Sequence, residues 1–182
     1  TKYVDCIEDL AIKHFSEHFG VPFADVRPIS GAVANLAVFT ALPKRSGNVV
    51  TNSYQSGGHI THNSMGTITR VCGKKVFNFP TQEENPFKTD VDRAIKLIGR
   101  VDPDFVVFGK SMFLHPEPVR EIREAYPDLT IVYDGAHVLG LIAGRQFQDP
   151  LKEGADFITA STHKTFPGPQ GGCLLYTSDA AD

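Results

Sequence analysis

The sequence predicts an α/β fold, a mostly parallel sheet flanked by helices, and three observations carry the prediction. Short apolar runs of strand character alternate with amphipathic stretches along the chain, the order that βαβ units produce. Two of those runs, Ile131–Asp134 and Phe157–Ser161, break at their carboxyl ends into chemistry-bearing residues: Asp134 and His137 after the first, Lys164 after the second. No internal repeat or low-complexity linker interrupts the series, and 182 residues suffice for one domain with a sizeable core.

Taken in order, Val4, Ile7, Ala11 and Phe15 recur at helical spacing, which predicts a helix over Val4–Phe19, stopped by Gly20 and Pro22. A short strand over Ala24–Arg27 follows. Ser30-Gly31-Ala32 then opens a helix of small and apolar residues, and the turn has two readings: an N-cap serine on a buried helix, or an anion site made by the free amides of the helix N-terminus. Asn48–Asn52 reads as a strand leading into Ser53-Tyr54-Gln55-Ser56-Gly57-Gly58-His59-Ile60-Thr61-His62, where paired glycines beside two histidines permit close approach to a ligand. No cysteine or carboxylate completes a metal-ligand set there at short range, so no metal is expected. Lys75–Phe79 is a further strand, ended by Pro80. Thr89, with Asp92 three residues on, resembles a capping box for a helix whose apolar stripe (Val91, Ala94, Ile95, Ile98) ends at Gly99. Phe105–Phe108 is a buried strand with a polar end, Gly109-Lys110-Ser111, and Glu117–Ala125 is a helix with Val119 and Ile122 inward.

Composition narrows the function. A formal net charge of −3 and a pI near 6.1 argue against a nucleic-acid partner. No apolar run approaches the length of a membrane span, and the chain opens with no signal peptide. Three cysteines at unrelated spacings make neither a disulfide framework nor a zinc site, so a reducing, cytoplasmic setting is expected.

In open α/β sheets, ligands sit beyond the carboxyl ends of the strands. Asp134, His137 and Lys164 should therefore converge, and the trio suits pyridoxal phosphate. A lysine amine forms a Schiff base with the cofactor aldehyde, and an aspartate keeps the pyridine nitrogen protonated so that the ring acts as an electron sink. Taken singly, Asp134 fits a capping carboxylate and Lys164 a surface lysine; the combined spacing favours the cofactor.

Three segments resemble the serine hydroxymethyltransferase family, pyridoxal-phosphate enzymes of the fold-type-I (aspartate aminotransferase-like) class: Asp134-Gly135-Ala136-His137-Val138-Leu139-Gly140-Leu141-Ile142-Ala143, Thr162-His163-Lys164-Thr165 and Gly168-Pro169-Gln170-Gly171-Gly172. The similarity runs over nearly the whole chain. It implies the large, cofactor-binding domain of such an enzyme over residues 1–172, incomplete at both ends. It also implies a homodimer, with reversible transfer of a hydroxymethyl group from serine to tetrahydrofolate, giving glycine. By the same resemblance Lys164 is the Schiff-base lysine and Asp134 the partner of the ring nitrogen. His59 stacks on the ring, and His137 and Ser111 lie near its phenolic oxygen. Ser30, Gly31 and Ala32 anchor the phosphate, Ser161 and His163 line the approach to Lys164, and Tyr54 and Gly58 fall on the substrate or folate side.

Lys110 also ends a strand but lacks the Thr-His-Lys-Thr context. Gln170 stands where the family usually has arginine and supplies neither the charge nor the guanidinium fork. Together with the divergent Met112–Pro116 stretch, it motivates a second reading, a folate-independent aldolase or transaldolase acting on β-hydroxy amino acids. Residues 173–182, Cys173 to Asp182, match one reading frame of a transposase adapter used in sequencing libraries. They are set apart from the native sequence, and a native apolar strand is expected after Gly172. On this reading the polypeptide as given is an inactive fragment.

Overall fold

In a computed structural model, which describes residues 1–177, the chain forms one seven-stranded sheet in the order β1-β7-β6-β5-β4-β2-β3. The strands are β1 (Phe23–Asp25), β2 (Asn48–Thr51), β3 (Lys75–Asn78), β4 (Phe105–Gly109), β5 (Thr130–Asp134), β6 (Phe157–Ser161) and β7 (Gly172–Tyr176). Pairing is parallel from β3 through β2, β4 and β5 to β6, and antiparallel where β7 meets β6 and β1. The expected mostly parallel α/β sheet is thus present, and β7 occupies the place after Gly172 where an apolar strand is expected. Ser178–Asp182, the end of the adapter-like segment, lie outside the described residues.

Alternation along the strands distributes the core over both faces. Val106 and Phe108 of β4 and Ile131 and Tyr133 of β5 point to one side. There they meet Ile12, Phe15 and Phe19 of α1 (Lys2–Phe19), Ala94 and Ile98 of α4 (Val91–Val101) and Ile122 of α5 (Val119–Ala125). Phe105, Val107 and Val132 point to the other side, against Val38 and Phe39 of α2 (Gly31–Ala41) and Ile68 of α3 (Thr67–Arg70). Every residue of β4 and β6 is buried, as expected of central strands covered on both faces.

Several boundaries differ from the sequence expectation for local reasons. β1 spans Phe23–Asp25 rather than 24–27, because Asp25 turns back to take the Arg27 backbone amide and guanidinium. The cap of α4 is Asp90, which accepts the Arg93 amide at 3.0 Å, so the expected Thr89–Asp92 box does not form. The Thr89 hydroxyl instead donates to Glu117. The same helix runs through Gly99 to Val101, since Ile98 and Val101 both bury. Glu117 precedes α5 rather than opening it, drawn inward by Lys110.

Candidate functional site

α2 begins where the sequence places it. The Ser30 hydroxyl accepts the Val33 amide at 3.2 Å, so the serine is an N-cap. The first amides of the helix, at Gly31 and Ala32, have no intrahelical acceptor, the arrangement that suits an anion. This terminus lies directly on the ends of β6 and β7. A Cβ on Gly31 would come within 2.6 Å of Ser161 Oγ, and one on Gly172 within 2.5 Å of the Ser30 carbonyl, so only glycine permits the approach. Ser30 thus serves as the N-cap of a buried helix, and the free amides beside it are the feature on which the anion reading rests.

The turn carrying Lys164 is braced from both sides. The Thr162 hydroxyl donates to the Pro169 carbonyl at 2.8 Å and the Gly168 amide to the Thr162 carbonyl at 2.8 Å, closing the loop after the lysine. Thr165 Oγ1 accepts the Gly140 amide from α6 (Leu139–Ala143), and Phe166 packs on Phe15 of α1. Lys164 itself is exposed, with Nζ 3.0 Å from His137 Nε2. Burial, and then the Lys164 charge, lower the His137 pKa against an opposing pull from Asp134; the neutral imidazole accepts from the ammonium.

Asp134 ends β5 and is 4% exposed. Its Oδ2 receives the Asn35 amide at 2.7 Å and lies 3.6 Å from His62 Nε2; its Oδ1 receives the Ala136 amide at 3.1 Å. Burial alone would push this carboxyl up. His62 and the Asn35 amide outweigh that and hold it at about 2, so it is a carboxylate at neutral pH.

His59 is half-buried. A short antiparallel pairing sets it over the end of β4: Gly58 bridges to Lys110, and the Ser111 amide donates to the Gly57 carbonyl at 2.7 Å. Its ring centroid lies 6.1 Å from that of His137 and 6.0 Å from that of His62. Burial lowers its pKa, with His62, Lys164 and His137 acting in the same direction and Asp134 opposing.

The fold thus gathers Asp134, His137, His59 and Lys164 at the carboxyl end of the sheet, with Ser30, Gly31, Ala32 and Ser161 at the neighbouring helix terminus. Ser111 is exposed on the turn beyond β4, and His163 is exposed with its Nδ1 against the Gly171 backbone. Tyr54 is exposed on a short turn, and Gly58 is buried in the bridge.

The sequence reading missed His62, fully buried with neither ring nitrogen hydrogen-bonded, and Asn35 with Thr61 and Thr159 around it. Two signals were available: a second histidine three residues after His59, and an asparagine in the middle of a helix whose other polar residue, Thr40, lies near its end. The fold also supplies the carboxylate missing from the local metal reading, since His59, His62 and Asp134 each bring a ligand atom within 4.8 Å of the others. Asn35 already engages the carboxylate and Thr61 engages His59 Nδ1, so the donor set suits the polar edge of an organic ring better than a bare cation.

A family model described as "Serine hydroxymethyltransferase" matches residues 1–181. A serine hydroxymethyltransferase from Thermococcus kodakarensis is 51% identical over 177 residues, covering 96% of this chain and 41% of its own. One from Pyrococcus abyssi is 48% identical over 183 residues, with 100% and 42% covered. The fold is also similar to the solved structure of an L-threonine transaldolase from Pseudomonas fluorescens, with TM-score 0.81 and 31% identity over 96% of this chain and 38% of that one. The chain spans about two fifths of the length of the relatives it matches. On a family match from the first residue to 181, and identity near one half to members from two organisms, the chain belongs to the serine hydroxymethyltransferase family.

Proposed function

We propose that the full-length protein carrying this chain is a pyridoxal-phosphate enzyme that transfers a hydroxymethyl group reversibly from serine to tetrahydrofolate, giving glycine. The observation that carries the reading is the meeting of a buried, ionised Asp134 and an accessible Lys164 at the carboxyl end of the sheet, beside a helix terminus with free amides. The residues fit the cofactor. Asp134 is held as a carboxylate able to take a ring N–H, and the Gly31 and Ala32 amides with Ser30 suit a phosphate. The partly exposed rings of His59 and His137 flank the space between. When bound, the cofactor supplies an electron sink for charge developing at the substrate Cα.

This chain's own residues then divide the work. Lys164 would provide the amine that holds the cofactor. His137 Nε2, 3.0 Å from Lys164 Nζ, takes or returns its proton. Asp134 keeps its charge because His62 and Asn35 hold it, and His59 would face the bound ring. Ser161 and Ser111 border the site, His163 steadies the loop through Gly171, and Tyr54 and Gly58 lie on the substrate side.

Lys164→Ala is expected to abolish the visible absorbance of the lysine-bound cofactor and its fixation by borohydride. A reducible chromophore in that variant would sink the assignment. The transaldolase likeness and Gln170 support a second reading, cleavage of β-hydroxy amino acids without folate. Assay of the full-length protein on L-serine and L-threonine, with and without tetrahydrofolate, separates the two: dependence on the folate favours the first.

The proposal extends to a homodimer working in the cytoplasm; no described helix is long and apolar enough to cross a membrane. Residues 1–172 are read as part of the large domain and 173–182 as adapter-derived, with the 182-residue chain alone inactive. Reading the source DNA across Gly172 checks this, and the same ten codons in unamplified DNA would refute it.

A further inference from the structure

Asn35 sits on the buried face of α2 at 1% exposure, in a helix otherwise built from small and apolar side chains. A buried primary amide has two donors and an acceptor to satisfy, and all three are used. One N–H goes to Asp134 Oδ2 at 2.7 Å and the other to Thr61 Oγ1 at 3.0 Å, while Oδ1 accepts the Thr159 hydroxyl at 2.5 Å. The orientation of the amide is determined, because turning it over would face its oxygen to a carboxylate.

The consequence runs one step further. Thr61 Oγ1 receives the Asn35 N–H, so its own hydrogen is free to point at His59 Nδ1, 2.9 Å away. The Thr61 backbone N–H points at the same nitrogen at 3.3 Å. A nitrogen faced by two donors must offer its lone pair, which puts the His59 proton on Nε2.

Resting on the cofactor reading above, we propose that Asn35 is a positioning residue that sets two cofactor-facing groups at once: it aims the Asp134 carboxylate directly, and through Thr61 it fixes the tautomer of His59. One side chain thereby holds the residue at the ring nitrogen and the residue over the ring face in register. With two donors facing Nδ1, a second proton there is disfavoured and His59 stays neutral, so that no second positive charge is set against a protonated ring nitrogen. A purely packing role for Asn35 would leave the His59 proton unaffected.

The test uses the full-length protein labelled with ¹⁵N-histidine. Solid-state ¹⁵N spectra distinguish an imidazole nitrogen that accepts a hydrogen bond from one that carries the proton, and His59→Gln identifies the His59 signals by difference. His59 is expected as one tautomer, protonated at Nε2. Thr61→Val removes the hydroxyl donor and is expected to move the Nδ1 resonance toward that of a free imidazole, showing that the hydroxyl is visible at His59. Asn35→Leu is expected to move it the same way and also to weaken pyridoxal phosphate binding at least tenfold; Asn35→Ser serves if the leucine variant does not fold. A His59 protonated at Nδ1 in the unsubstituted protein overturns the proposal. So does an Nδ1 resonance that shifts with Thr61→Val but not with either Asn35 variant. Failure of the cofactor reading is seen separately, as absence of a borohydride-fixed adduct at Lys164 in the unsubstituted protein, and it leaves the tautomer result standing.

Discussion

Two lysines follow parallel strands of this sheet, Lys110 after β4 and Lys164 after β6, and their surroundings are opposite. Lys110 is 1% exposed; its Nζ donates to the Phe87 carbonyl at 2.7 Å and pairs with the equally buried Glu117. Glu117 in turn accepts the Thr89 hydroxyl at 2.8 Å and the Asn52 amide at 3.1 Å, and Asn52 Oδ1 takes the Gly109 amide at 2.8 Å. Lys164 is exposed, and among the described residues its amine is hydrogen-bonded to the neutral imidazole of His137. A lysine amine locked to a carboxylate and a carbonyl in the interior is closed to an incoming aldehyde, whereas an exposed amine beside a neutral base is accessible to one. Lys110 holds the turn that presents Ser111 and pairs with Gly58 beside His59, whereas Lys164 is the lysine proposed to hold the cofactor.

The largest expected effect breaks the buried pair. Lys110→Ala leaves Glu117 as an unpaired buried charge and should cost about 3–5 kcal/mol of stability. Replacing both partners, Lys110→Met with Glu117→Leu, should cost less than either single loss. Lys164→Ala, at an exposed position, should change stability by no more than about 0.5 kcal/mol while removing the chromophore. Denaturant melts of the three variants, with absorbance of the folded fractions, check the contrast. A Lys110→Ala protein that stays folded but cannot hold the cofactor would reverse the assignment of the two lysines.

Asp134 sharpens the comparison at intermediate size. Its pKa falls from 3.8 to about 2 on folding, so the folded chain binds fewer protons there than the unfolded one. Stability from this group, about 2 kcal/mol at most, is present above pH 3.8 and is lost as pH falls through about 2. Asp134→Asn should flatten acid unfolding in that window. It should also weaken cofactor binding roughly 10–100-fold, the size of one charge-assisted hydrogen bond. Acid titration and cofactor titration of the variant read the two separately.

The smallest effect is at the histidines. His59 and His137 both titrate below the ordinary 6.5 because burial disfavours their charged forms. The stability they contribute is complete above pH 6.5 and declines as pH drops through their folded values. Histidine NMR titration should place both midpoints below 6.5, and Lys164→Ala should raise that of His137 by removing the neighbouring positive charge. A midpoint for His137 that does not respond to this variant would separate it from Lys164.

What could be read from the sequence alone was local. The strands β4, β5 and β6, the Ser30 cap, the Gly58–His59 turn and the polar strand ends at Asp134 and Lys164 each carry their signal within a few neighbouring residues, through period, capping chemistry or turn composition. The strand-end rule then placed Asp134, His137 and Lys164 together before any contact was known. Partnership across the chain had no such signal. Thr89 and Asp90 are both competent caps, and which one serves depended on Glu117 arriving from beyond the next strand to claim the threonine hydroxyl. Glu117 reads as a helix-opening residue until Lys110 is found buried beside it. Asn35, Thr61, Thr159 and Asp134 lie on four separate elements and form one network only because β5 and β6 pair side by side beneath the start of α2. Periodicity reports which face of an element is buried. Which buried polar groups meet is decided by strand order and packing, because a hydrogen bond requires two atoms within about 3 Å wherever they stand in the sequence.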